Sequence, residues 1–194
     1  MVLIGITGSF GSGKTTVAKL FKKQCGKTCE IIDADKIAKK LMRNQLKKKI
    51  KTEFGTTNRK ELADIVFSDK RKLNKLNSIV HPYVRIEIKK RIQNSEKNFI
   101  LDTPLLIEAG KTKVDYLVIV NCDKKKQLSR LMIKGHKKED ILRRLRHQLT
   151  FDKKLKKAKK ITNEEIFIIN NSGKLEKTRD SVKKIIHSLS ERSE

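Results

Sequence analysis

Residues 8–15, Gly8-Ser-Phe-Gly-Ser-Gly-Lys-Thr15, have the spacing G-x-x-x-x-G-K-[ST], and these residue types together suit one task, gripping a chain of phosphates. Gly8, Gly11 and Gly13 let the backbone wrap closely with its amides turned inward, and the N-terminus of a following helix adds partial positive charge. Lys14 brings the charge that neutralises the outer phosphates of a nucleoside triphosphate such as ATP. The Thr15 hydroxyl suits Mg2+, and Ser12 and Thr16 complete the expected nucleotide-binding set.

Three further side chains belong to the same chemistry. Asp33 stands at the exit of the second strand pattern, where an acceptor hydroxyl beside the phosphate loop would come. A carboxylate there can take the hydroxyl proton, a help of about 10²–10⁴ in rate. It can equally cap a helix beginning near Ala34, and both readings stand. Asp35 faces the same way if the chain stays extended. Asp102 ends an apolar run, the position from which an acidic residue orients a metal's water shell, or else makes a strand-end turn with Pro104. Arg144 and Gln148 share a helical face. An arginine closing over the phosphates would stabilise transition-state charge, whereas a solvated basic helix needs no such role.

The elements that must position these groups follow from periodicity. Residues 2–6, 30–32, 99–101, 116–120 and 166–169 are short β-branched runs, each reading as a strand buried on both faces. Longer charged segments with helical spacing separate them. This alternation predicts an α/β fold, a five-stranded parallel sheet with helices on both faces and ligands at the carboxyl ends of the strands. Between the second and third strands only helical patterns occur, at 34–42, 61–67 and 84–92, which marks an inserted helical region. Residues 137–160 read as two short helices over the sheet, with Ile141, Leu142, Leu145 and Leu149 on one apolar face.

Composition narrows the class. A chain of 194 residues with 37% hydrophobic residues can bury a core as one domain. The net charge of +26 attracts nucleic acid, acidic membrane or phosphorylated small molecules without choosing among them. Its lysines are spread through nearly every segment, as on a solvated surface, so nucleic acid is not an expected partner. Cys25, Cys29 and Cys122 are too few for a disulfide framework and lack zinc spacing, and so read as reduced thiols. The first apolar run is too short for a signal peptide and no stretch approaches the ~20 residues of a membrane span, which predicts a soluble cytoplasmic protein. Nothing favours one oligomeric state over another. A GTPase would carry N-K-x-D and Asp-x-x-Gly elements, but residues 121–124 and 102–105 lack the required Lys and Gly. The size suits a small kinase better than a motor or helicase.

Along almost its whole length the chain resembles the dephospho-CoA kinase family. The resemblance rests on residues 5–16, Ile32-Asp-Ala-Asp35, 59–62 through 66–67, His81-Pro82, Asp102-Thr-Pro-Leu-Leu-Ile-Glu108, Gln127 with Arg130, Arg144 with Gln148, and Asn171-Ser-Gly173. It implies a P-loop kinase three-layer sandwich, residues 1–194 forming a single kinase domain with a helical CoA-binding insertion at about 35–97 and a lid at about 134–150. The implied reaction is ATP-dependent, with Mg2+, at the 3′-hydroxyl of the ribose of dephospho-CoA. By position, the resemblance makes Asp33 the base or acceptor-orienting carboxylate and Arg144 the lid arginine. It sets Asn171 near the adenine and makes His81, Leu105 and Leu106 acceptor-pocket residues. The chain departs from the family pattern at Ser9, at Ile133-Lys134 in place of a lid arginine, and at Glu165-Ile-Phe167, where an Asp is usual.

Overall fold

The computed structural model describes residues 1–162 and 164–191. The β-branched runs form β1 (Leu3–Gly8), β2 (Cys29–Asp33), β3 (Asn98–Asp102), β4 (Tyr116–Asn121) and β5 (Ile166–Asn170). The helices are α1 (Lys14–Cys25), α2 (Ala34–Arg43), α3 (Lys47–Phe54), α4 (Arg59–Ser68), α5 (Lys70–Gln93), α6 (Leu106–Ala109), α7 (Lys124–Ile133), α8 (Lys138–Arg146), α9 (Phe151–Ala158) and α10 (Leu175–Ser190). They build two compact units, one of residues 1–32 with 96–194 and one of residues 33–95.

The first unit holds one sheet in the order β2-β3-β1-β4-β5. β1 runs parallel to β3 and β4, and β4 parallel to β5. Alternation along β1 sorts its side chains. Ile4 and Ile6 join Val17, Ala18 and Phe21 of α1, Ile100, Val118 and Val120, and Val182 and Ile185 of α10 in one apolar cluster. On the opposite face Gly5 leaves room for Leu106 of α6 and for Val114. The register sets Ile6 beside Asp102, so the carboxylate arrives where β1 gives way to the phosphate loop.

Two expectations need correction. The outer strands β2 and β5 are not buried on both faces: α10 covers one side of β5, and Ile168 is 50% exposed. Leu142, assigned to the apolar face of the basic segment, is also exposed, while Ile141 is fully buried. The segment does form two short helices, α8 and α9.

In the second unit α2 and α4 pack along α5, which contains Pro82, and α3 packs on α2. Caps fix the helix starts: the Asn58 side chain accepts from the Lys60 and Glu61 amides, and Asp69 accepts from Arg71. The helix at Lys47–Phe54 and the first half of α5 go beyond the expected patterns. Among the described residues no helix is long and apolar enough to cross a membrane.

Phe21, fully buried between α1 and the sheet, is the largest side chain of the apolar cluster. Phe21→Ala is expected to lower stability by about 3–5 kcal/mol, read as a fall in the urea midpoint at unchanged m-value.

Candidate functional site

The phosphate loop is set by glycine geometry. Gly13 caps α1 with φ 94°, a conformation L side chains rarely adopt, and a Cβ there would overlap the Asn171 amide. This cap gives no side-chain hydrogen bond, and the first turn of α1 contains no acidic residue. The leading amides of the helix are therefore left for an anion. Lys14 Nζ reaches the Ser9 carbonyl at 3.2 Å. The Thr15 hydroxyl donates to Asp102 Oδ2 at 2.7 Å, with Asp102 only 5% exposed. A hydroxyl and a carboxylate in contact form a hard, all-oxygen donor pair, the kind Mg2+ takes. Among the described residues no cluster of three or more His, Cys, Asp or Glu could hold a metal.

Asn171 is engaged by protein on every side. Its Nδ2 donates to the Ser12 carbonyl at 2.8 Å, its Oδ1 accepts from Thr178 Oγ1 at 2.9 Å, and its own carbonyl accepts from Arg130 at 2.8 Å. This side chain braces the phosphate loop, a role that spacing did not suggest. Ser12 Oγ is buried without a hydrogen-bond partner, and Thr16 is exposed.

Asp33 ends β2 and caps α2, its Oδ1 accepting from the Lys36 amide at 2.9 Å and its Oδ2 standing 3.7 Å from Lys36 Nζ. Because the helix begins at Ala34, Asp35 lies in its first turn and not on an extended strand. His81 is half-buried on α5. Leu105 precedes α6, while Leu106 is buried against β1. Arg144 lies on α8 with its guanidinium carbon 5.1 Å from the centroid of the Phe10 ring. Gln148 Oε1 accepts from the Phe10 amide at 2.8 Å.

The Cys25 thiol is held protonated by its surroundings. Burial, then the hydrogen bond and charge of the Cys29 thiol, push Cys25 up to about 12, so it holds almost no thiolate at neutral pH.

The sequence profile of the dephospho-CoA kinase family matches residues 2–177. A dephospho-CoA kinase from Carboxydothermus hydrogenoformans is 36% identical over 95% of this chain and 92% of its own length. A crystal structure from Thermus thermophilus superposes with a TM-score of 0.77 at 30% identity, covering 97% of each chain. Dephospho-CoA kinase from Campylobacter jejuni gives a TM-score of 0.63 at 27% identity over 99% of this chain and 98% of its own.

One buried ion pair, invisible in the pattern, supports this site. Lys154 of α9 is fully buried and donates to the Pro104 carbonyl at 3.1 Å and to Glu108 Oε1. Glu108 Oε1 also accepts from the Leu149 amide at 3.1 Å, so the turn after Asp102 and the end of the basic segment share one anchor. Burial lowers the Lys154 pKa below 10.5, and the Glu108 carboxylate works against that shift. Removing one partner strands a buried charge. Glu108→Ala is expected to cost about 3–5 kcal/mol, and the double change Glu108→Leu with Lys154→Met to recover most of it, as measured by denaturant unfolding.

Proposed function

The chain belongs to the dephospho-CoA kinase family, and we propose that Lys14, Asp33 and Arg144 share the chemistry of its reaction. It is an ATP-dependent phosphotransferase that carries the γ-phosphoryl group of ATP to the 3′-hydroxyl of the ribose of dephospho-CoA, giving CoA and ADP, the last step of coenzyme A biosynthesis. The observation that supports this division of labour is the contact of Thr15 with Asp102 at the mouth of a loop whose helix amides are uncapped.

The loop amides, with Gly8, Gly11, Ser12, Gly13 and Thr16, grip the triphosphate, and Lys14 neutralises charge on its outer groups. Thr15 and Asp102 would hold Mg2+, which when bound supplies positive charge to the phosphate oxygens. Asp33 accepts the proton of the 3′-hydroxyl as its oxygen forms a bond to the γ-phosphorus and the bond from that phosphorus to the ADP oxygen breaks. Arg144 stabilises charge on the phosphoryl group in flight. Asn171 keeps the loop in shape beside the adenine, and by family resemblance His81, Leu105 and Leu106 serve the acceptor. The site of action is the cytoplasm.

Purified protein with ATP, Mg2+ and dephospho-CoA is expected to yield CoA and ADP in equal amounts. Turnover with a nucleoside monophosphate alone, or ATPase activity stimulated by RNA without acceptor phosphorylation, would overturn the reading. Lys14→Ala is expected to abolish nearly all transfer in a folded protein. Asp33→Asn should lower kcat by about 10²–10⁴ while leaving ATP affinity unchanged, since the carboxylate serves the acceptor. A matching loss of ATP affinity would move Asp33 to the nucleotide side.

A further inference from the structure

Phe10 occupies a position of the phosphate loop from which phosphate binding asks nothing, since only its backbone lies in the cradle. Even so, four side chains from the 127–148 segment converge on it. Its amide donates to Gln148 Oε1 at 2.8 Å and its carbonyl accepts from Gln127 Nε2. Its ring meets the His136 ring edge-on at 5.3 Å and 76°, and carries the Arg144 guanidinium 5.1 Å from its centroid. On the same helix Arg143 pairs with Asp140 at 2.6 Å, and Arg146 is exposed.

We propose that Phe10 is a positioning residue, whose ring seats Arg144 over the phosphate loop while its two main-chain bonds and the His136 edge fix the tilt of that seat. The inference rests on the reading of Arg144 as the lid arginine. An aromatic face orients a guanidinium without cancelling its charge, because the attraction comes from the ring quadrupole. A leucine at this position would keep the packing area and lose the orientation.

The test uses the full-length protein with ATP, Mg2+ and dephospho-CoA, comparing Phe10→Leu, Phe10→Tyr, Arg144→Met and the double variant Phe10→Leu/Arg144→Met. Phe10→Met serves as the second apolar replacement should Phe10→Leu fail to fold. The expected result is a fall in kcat of about fivefold to thirtyfold for Phe10→Leu, the span of a partly desolvated cation–π contact. Phe10→Tyr should restore the rate. In the Arg144→Met background the Phe10→Leu loss should shrink to about twofold or less, the non-additivity of coupled residues. Equal losses in both backgrounds, no rescue by tyrosine, or a change confined to KM would overturn the role of Phe10 and leave the Arg144 reading standing. A neutral Arg144→Met would overturn that reading and this inference with it.

Discussion

A phosphate loop must point several backbone amides at a ligand, and a backbone arranged that way cannot satisfy itself. Within the loop the Ser9 carbonyl accepts from the Ser12 amide at 3.0 Å and from Lys14 Nζ at 3.2 Å. Its other supports come from far along the chain. Asn171 takes the Ser12 carbonyl, Gln127 the Phe10 carbonyl and Gln148 the Phe10 amide, at sequence separations of 159, 117 and 138 residues. The parallel sheet makes these meetings possible: β1 lies beside β4, and β4 beside β5, so the segments after β4 and β5 surround the exit of β1. The cradle is thus a tertiary product, although its recognition signal is eight consecutive residues.

Charge is managed to the same end. With a net charge of +26 the chain has few carboxylates to spare. Around the loop, cations reach for carbonyl oxygens: Lys126 to Ser172 and Arg130 to Asn171. A carbonyl orients a cation and leaves its formal charge in place, which keeps the field at the loop positive toward polyanionic substrates. Lys154 is the instructive contrast. It is fully buried, where a neutral acceptor alone cannot offset desolvation, and there the chain spends a carboxylate, Glu108.

Much of the fold is legible in the sequence because local pattern and final structure agree. Five β-branched runs become five strands, and the glycine spacing of residues 8–15 falls between β1 and α1. Asp33 shows where two readings merge, since the residue that ends β2 also caps α2. What escapes the sequence depends on order in space. Periodicity cannot tell that β2 and β5 are the outer strands, so Ile168 counts as core until the strand order is known. Lys154 is one of many cations in its segment, and nothing local marks it as the buried one. Family resemblance singles out Asn171, but its grip on Ser12 spans most of the chain and has no local signature.

The supports of the loop also link two events that a simple list of site residues keeps apart. Gln148 and Arg144 belong to the expected lid, and both meet Phe10 inside the cradle sequence. Where residues 134–150 act as the proposed lid, a ligand that orders the loop also orders the seat of that lid. Linkage then requires the converse, that a seated lid raises affinity for the ligand by the same factor. Such coupling needs no separate signalling path, because one residue contributes its main chain to both structures. It also explains why the loop is braced from outside. A loop rigid by itself would bind phosphate just as well with the lid absent, and the lid would add nothing to nucleotide affinity. Sharing Phe10 between the cradle and the proposed lid makes each depend on the other, at no cost to the glycines that shape the turn.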